Sequence, residues 1–101
     1  MNDKDIEKEI VSAGLIAPRI TPDRIDSVVA GVEYHVFDGS CLTICCITLE
    51  NGFTVTGESA CASPENFSEA IGMKIAYENA RQKIWALEGY LLKQRLYEAV
   101  K

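Results

Sequence analysis

The chain has 101 residues, of which 48% are hydrophobic and 25% charged, and it carries a net charge of −5 at pH 7. This length corresponds to a single domain, residues 1–101, and the composition is that of an ordinary globular protein rather than a disordered one. No apolar run approaches the roughly 18 residues that a membrane span requires. The polar, acidic start is also unlike a signal peptide, so we expect a cytoplasmic protein with no membrane partner.

The charge is unevenly distributed along the chain. Residues 1–73 hold 4 basic and 12 acidic side chains, a net charge of −8, whereas residues 74–101 hold 6 basic and 3 acidic side chains, a net charge of +3. An acidic protein binds the backbone of a long nucleic acid poorly, because that binding depends on many cationic contacts. The sequence therefore predicts no long nucleic acid as a partner, but it allows a small anion at the cationic end.

Two short helices are predicted at the beginning of the chain. Apolar spacing in residues 3–13, ended by Gly14, predicts a short amphipathic helix. Thr21 as the N-cap and Pro22 at the first helical position predict a second helix. An apolar stripe extends this second helix to about residue 34. The stripe consists of Ile25, Val28, Val29 and Val32.

A β-hairpin over about residues 41–61 follows. Its first half is rich in Thr, Ile and Cys and ends in Asn51-Gly52, the strongest two-residue hairpin signal. A two-residue loop pairs residues whose numbers sum to 103, so that Cys45 faces Glu58. Both faces of the hairpin are then substantially apolar. We therefore expect both to be covered, one of them by a partner chain.

The last predicted element is one long helix over about residues 64–98. Ser63-Pro64 begins it, and Asn66 with Glu69 offers a second capping possibility one turn later. Thirty helical residues span roughly 45 Å, more than the width of a domain of this size, and two flanks of the helix are apolar. We predict an α+β fold of N-terminal helices, one antiparallel hairpin and one long C-terminal helix, assembled as a homo-oligomer (a dimer or an assembly of dimers).

The four cysteines lack the spacing of a metal site. They lie in apolar or β-branched stretches, no C-x-x-C pair occurs, and Cys45 and Cys46 point to opposite faces of a strand. Cys41 and Cys61 complete the set. We expect reduced, largely unreactive thiols, no metal and no cofactor.

Groups suited to catalysis are sparse. A Ser or Cys nucleophile needs a neighbouring base, and His35 is the only histidine. Glu58 is either a poised acid or base, or a ligand-binding or salt-bridged group. Lys74 and Arg81 share one helix face, which is either a solvated face with ion pairs or an anion site. We expect a binding protein rather than an enzyme.

The end of the hairpin carries a different signal. Gly57 inside a strand marks a bulge or a close approach of two backbones. Ser59 adds a hydroxyl on the same strand, and the long helix begins shortly afterwards. The N-terminus of a helix favours an anion.

The block that joins hairpin and helix resembles a known family. Residues 49–67 (LENGFTVTGESACASPENF), residues 78–92 (ENARQKIWALEGYLL) and residues 18–22 (PRITP) are similar to a widespread family of small tailed-phage proteins. The resemblance covers about residues 17–96. That family in turn resembles the Thoeris anti-defence proteins of the first type. These oligomeric sponges capture the cyclic ADP-ribose signal of a bacterial immune system without cleaving it, and some also hold cyclic oligonucleotides.

The resemblance implies pockets between protomers. An arginine before the first domain helix, the segment that enters the long helix and an arginine within that helix line these pockets, and the matching positions here are Arg19, Asn66 and Arg81. Additional candidates are Phe53, Ser59 and Lys74. The planar guanidinium of arginine suits a pyrophosphate, and an aromatic ring stacks on adenine.

The resulting hypothesis is a phage anti-defence protein that sequesters a small anionic cyclic nucleotide in the cytoplasm of the infected bacterial cell. The alternative is a phage accessory protein that binds and modulates a host protein through the apolar flank containing Trp85. A metal-free small hydrolase is a more distant third reading.

Overall fold

The computed structural model describes residues 2–101 and confirms the α+β class. The elements in chain order are α1 (Asp3–Ser12), α2 (Pro22–Ser27), β1 (Val29–Val36), β2 (Thr43–Leu49), β3 (Thr54–Ser59), a 3-10 helix (Pro64–Asn66) and α3 (Glu69–Ala99). The three strands form one antiparallel sheet in the order β1-β2-β3.

The two N-terminal helices begin where the local signals predict. The Thr21 hydroxyl accepts a hydrogen bond from the Arg24 backbone N–H at 3.1 Å, which caps α2. The Asn2 side chain caps α1 in the same way through the Asp5 N–H at 2.9 Å. Gly14 follows α1 with a φ of +73°, a conformation that favours glycine.

Residues 29–34 belong to strand β1, so the prediction of a helix extending to about residue 34 was wrong. Helix α2 ends at Ser27, and the valines that follow favour an extended backbone, since β-branched side chains pack well on a pleated surface. Strand β1 pairs along β2, with Val32 opposite Ile47. This long-range pairing satisfies the backbone of β2 on both sides and overrides the helical spacing.

The hairpin loop contains three residues, so the predicted register was wrong by one position. The Leu49 N–H donates to the Phe53 carbonyl at 2.8 Å, and the Gly52 N–H donates to the Leu49 carbonyl at 2.9 Å. Gly52 has a φ of +90°, which suits the third position of such a loop. Paired residue numbers therefore sum to 102, and Cys45 lies opposite Gly57 rather than Glu58.

This register separates an apolar face from a polar one, so the expectation that both faces are apolar was wrong. Cys45, Ile47 and Val55 are buried on the face that packs against α3. The other face, which we call the open face, is mostly exposed or half-exposed. It carries Gly31, Glu33, His35, Ile44, Cys46, Thr48, Thr54, Thr56 and Glu58.

Helix α3 begins five residues later than predicted. Its N-cap is Ser68, whose hydroxyl accepts from the Ile71 N–H at 3.3 Å. Asn66 instead ends the separate 3-10 helix, and the extended Phe67 interrupts the helical backbone after it. Asn66 therefore does not cap the long helix.

Strand β3 crosses α3 at very short range, and this confirms the close approach predicted at Gly57. A Cβ atom on Gly57 would lie 2.2 Å from the Ala80 nitrogen and 2.3 Å from the Ala76 oxygen. Real Cβ atoms do not approach backbone this closely. The small residues Ala76 and Ala80 are themselves fully buried. A glycine is therefore needed where the strand crosses the helix, because any side chain would overlap the helix backbone.

Only the first two thirds of α3 pack on the body of the protein. The last buried residue of the helix is Glu88, and residues 89–99, here called the overhang, extend beyond it. The protein accordingly measures 54 × 31 × 18 Å. The overhang carries exposed apolar side chains, among them Leu96 and Tyr97.

Candidate binding site

Arg81 lies at the centre of a cluster that joins the three helices. Arg81 is 5% exposed, and its guanidinium donates from Nε to Asp26 Oδ1 of α2 at 2.9 Å and from a terminal nitrogen to Asp3 of α1. Burial alone would lower the pKa of Arg81, but the hydrogen bonds and charges of Asp26 and Asp3 outweigh it, and the pKa is raised. Arg81 is thus a fixed cation whose two partners belong to its own chain.

A shallow pocket of about 380 Å³ opens beside this cluster. Asp3, Asp26 and Arg81 line it together with Tyr77, Glu78, Asn2 and Lys4. An anion that bound Arg81 here would share the guanidinium with these two carboxylates, which already accept hydrogen bonds from two of its nitrogens. Helix α1 contributes Asp3 and buries none of its own side chains.

A second ion pair, of which only the carboxylate is buried, lies at the other end of the packed part of α3. Glu88 is 5% exposed and accepts a hydrogen bond from Arg24 Nε at 2.8 Å. The second terminal nitrogen of Arg24 lies 3.5 Å from Glu50 in the hairpin loop. The hydrogen bond and charge of Glu88 raise the pKa of Arg24. This pair fixes α2, the hairpin loop and α3 relative to one another.

The hairpin loop and the start of the overhang enclose what we call the loop pocket, a space of about 460 Å³. Two aromatic rings line it: Phe53 from the hairpin, 57% exposed, and Tyr90 from α3, 73% exposed. Arg24 and Arg95 also line it. Among residues 2–101, Arg95 takes part in no ion pair. The loop pocket thus combines flat rings with an uncommitted guanidinium.

The structure places the six predicted site residues in different locations. Ser59 and Asn66 lie together in a cleft of about 100 Å³ beside the 3-10 helix. Arg19 forms an ion pair with Glu7 of α1, and Lys74 is exposed on α3. Phe53 and Arg81 lie in the two separate pockets described above. Within one chain, only Ser59 and Asn66 are brought together.

The groups considered for acid–base or thiol chemistry are spread over the sheet. His35 and Glu58 are exposed on the open face, where Ile44 pairs with both of them. Burial raises the pKa of the Cys45 thiol. Cys41 and Cys61 are half-buried, and the contact between them raises the pKa of Cys41. All four thiols are free.

Residues 2–101 contain no group of three or more His, Cys, Asp and Glu side chains placed to hold a metal ion. No helix in this part of the chain is both long enough and apolar enough to cross a membrane.

The fold defines a small α+β protein with a three-stranded antiparallel sheet and one long helix. Residues 20–96 match the family described as phage protein (N4 Gp49/phage Sf6 gene 66), and the chain belongs to this family. The predicted membership of a small phage protein family is therefore confirmed. Comparisons with curated proteins and with solved structures gave no significant match. The further resemblance to the Thoeris sponges stays a prediction.

Sequence reasoning missed Arg24, Glu88 and Arg95. Arg24 and Glu88 are 64 positions apart, so no local spacing connects them. Arg95 follows Leu91 by one helical turn, and this spacing indicates a shared face of α3 but not which face meets the hairpin loop. The Asn51-Gly52 signal indicates a hairpin loop but not which helix lies beside it.

Proposed function

We propose that this phage protein binds a small anionic cyclic nucleotide, of the cyclic ADP-ribose type or a cyclic oligonucleotide, and sequesters it without cleaving it. The observation that carries the proposal is the loop pocket, in which Phe53, Tyr90 and Arg95 meet. The resemblance of the hairpin-to-helix block to the Thoeris sponges supports the same ligand class.

The loop pocket offers the two kinds of contact that a nucleotide needs. Its volume of about 460 Å³ is within the ordinary range of small-molecule sites, about 300–1,000 Å³. An adenine can stack on Phe53 or Tyr90, and base–aromatic stacking contributes about 1–3 kcal/mol per base. The charge of Arg24 is already offset by Glu88 and Glu50. The ligand phosphate therefore meets Arg95, whose planar fork suits it.

The pocket beside Arg81 is the competing location. The resemblance assigns the phosphate to Arg81, which Asp3 and Asp26 already hold. Replacing Arg81 would also remove this internal cluster, so loss of binding in Arg81→Ala would not by itself identify a contact with the ligand. Asp3→Asn is the sharper variant, because it removes a competing carboxylate and keeps the arginine. If the ligand binds Arg81, Asp3→Asn should bind it more tightly than the wild type.

The first test is a panel of cyclic nucleotides, including cyclic ADP-ribose and cyclic dinucleotides, screened by thermal shift and titrated by calorimetry. A ligand that binds only the folded protein raises the melting temperature. Denaturation of the complex followed by mass spectrometry should return the ligand chemically unchanged.

The second test assigns the site. Phe53→Ala and Arg95→Ala should each weaken binding about tenfold or more, since a hydrogen bond to a charged group contributes about 1.5–3 kcal/mol. Lys83→Ala is the matched control, because it removes an exposed cation from the same helix outside the loop pocket. Its affinity should equal that of the wild type.

Three other outcomes would change the proposed function or the proposed site. If no member of the panel shifts the melting temperature, the sponge proposal fails, and a ligand-independent pull-down tests the host-protein alternative. Recovery of a cleaved nucleotide would identify a hydrolase. If binding survives both loop-pocket variants and tightens in Asp3→Asn, the function stands and the site is the one at Arg81.

A further inference from the structure

Helix α3 carries a second, mostly apolar stripe, of which Trp85 also packs against the core of its own chain. Its members are spaced by alternating steps of four and three residues, the heptad spacing of helices that pair side by side. We call this stripe the seam; it consists of Ile71, Ile75, Glu78, Gln82, Trp85, Gly89, Leu92, Leu96 and Ala99. The sheet instead packs against Ala76, Ala80 and Ile84. Ile71, Ile75 and Leu96 of the seam are 59%, 47% and 40% exposed.

Contacts within the chain do not explain why a glycine occupies position 89 of the seam. Glycine is a poor residue for a helix interior, second only to proline. At Gly57 and Gly72 an added Cβ would approach neighbouring atoms to 2.2 and 3.0 Å, which accounts for those glycines. At Gly89 an added Cβ meets nothing within 4 Å. A glycine with open space above it, on an exposed heptad stripe, suits the close approach of a second helix.

The seam continues into a groove between α1 and α3. This groove has a volume of about 580 Å³, and its floor is apolar, formed by Ile6, Ile10, Ile20 and Trp85. Of the residues that the structure describes, its lining includes three carboxylates and no cation; the carboxylates are Asp3, Glu7 and Glu78. Asp3 and Glu7 are paired with arginines of the same chain, and Glu78 is exposed. The groove therefore suits an apolar helix, and Glu78 is the carboxylate that a cation on the flank of such a helix can meet.

Residues 89–101 combine the apolar side chains and the cations that such a helix needs. Residues 89–101 carry three cations, Lys93, Arg95 and Lys101, against the single carboxylate of Glu98. The seam residues Leu92 and Leu96 supply the apolar side. Within one chain the overhang extends away from the body, so it cannot fill its own groove.

We propose that two copies of this chain pair through the seam, with their α3 helices antiparallel about a two-fold axis. Trp85 of each copy packs over Gly89 of the partner subunit. Because glycine has no side chain, the large indole ring fits there. The same register brings Leu92 and Leu96 to the partner's Gln82 and the partner's Glu78. Each overhang thereby enters the groove of the other copy, and one self-complementary surface serves both. This pairing does not depend on the nucleotide proposal.

The test measures assembly by analytical ultracentrifugation over about 1–100 µM protein, a range that brackets the Kd of a weak to moderate dimer. The wild type should be a dimer in the upper part of this range. Gly89→Trp should fold normally, because its side chain enters open space in its own chain, but it should raise the dimer Kd at least 100-fold. Leu96→Glu should have a similar effect. Circular dichroism and thermal unfolding report whether each variant is folded.

Tyr97→Glu is the matched control. It introduces the same charge one residue later, at a position that is 53% exposed and lies off the seam. Its dimer Kd should change less than threefold. A monomeric wild type throughout the range would overturn the proposal. So would a folded Gly89→Trp that dimerises like the wild type, or a Tyr97→Glu variant that dissociates as fully as Leu96→Glu.

Discussion

The two parts of α3 share one helix but have different surroundings. Residues 69–88 pack against the sheet and bury Ala76, Ala80 and Ile84, whereas the overhang buries no side chain. The difference follows from length. Strands of six to eight residues extend about 20–26 Å, while 31 helical residues extend about 46 Å. A helix about 20 Å longer than the sheet it covers needs a second surface, and its apolar residues continue along the whole length.

Gly57 and Gly89 illustrate this difference between the packed part of α3 and the overhang. Gly57 lies where β3 touches the packed part of α3, and Gly89 lies at the start of the overhang with open space around it. The first is required by contacts within the chain and the second is not. Substitutions at matched positions in the two regions should therefore have unequal effects.

The largest effect is expected for Gly57→Ala. The added methyl group would overlap the backbone of Ala76 and Ala80, and the strand would have to move away from the helix. Overpacking of this kind costs about 1–3 kcal/mol and occasionally more, and backbone on the opposing side places this case at the upper end. Urea unfolding monitored by circular dichroism measures the loss.

Gly89→Ala is the matched control for that substitution. In dilute, monomeric protein it should stabilise the fold by up to about 1 kcal/mol, because alanine is the better helix former. Equal destabilisation by the two substitutions would show that Gly89 is also confined within its own chain. That result would remove the contrast between the packed segment and the overhang.

A smaller effect is expected for Arg81→Ala in comparison with Arg95→Ala. The first substitution leaves Asp26 and the mostly buried Asp3 without their cation. We expect a loss of about 2 kcal/mol, reduced from the value for a fully buried pair because Asp26 is 45% exposed. Arg95→Ala in the overhang should stay within about 0.5 kcal/mol of the wild type. Similar stabilities for the two variants would mean that the cluster around Arg81 adds little to the fold.

The smallest effect concerns alkaline pH. Burial raises the pKa of Cys45 above its usual 9.0 and that of Tyr77 above its usual 10.0. The folded state therefore holds protons that the unfolded chain releases, and the stability falls as the pH rises from about 9. Urea unfolding between pH 8 and 11 should show this decline, and Tyr77→Phe should reduce it. A stability that rises over this range would contradict the assignment of both groups to the packed region.

The sequence by itself determined the elements that depend on neighbouring residues. Thr21 and Pro22 begin α2, Gly14 follows α1, and the periodic apolar residues of α3 predict a long helix, because caps, turns and helical spacing act within a few positions. The Asn51-Gly52 signal also correctly predicted a hairpin between β2 and β3, although not its register.

The tertiary structure decided what depends on distant pairing. Residues 29–34 have helical spacing but form β1 because the free edge of β2 offers them hydrogen bonds. The loop of three residues rather than two turned Glu58 outward and Gly57 inward, since side chains alternate along a strand. Arg81 meets Asp3 across 78 positions of sequence, a contact that no local pattern encodes. Only the folded chain could show that this arginine is already paired and that Arg95 lies beside Phe53 in the loop pocket.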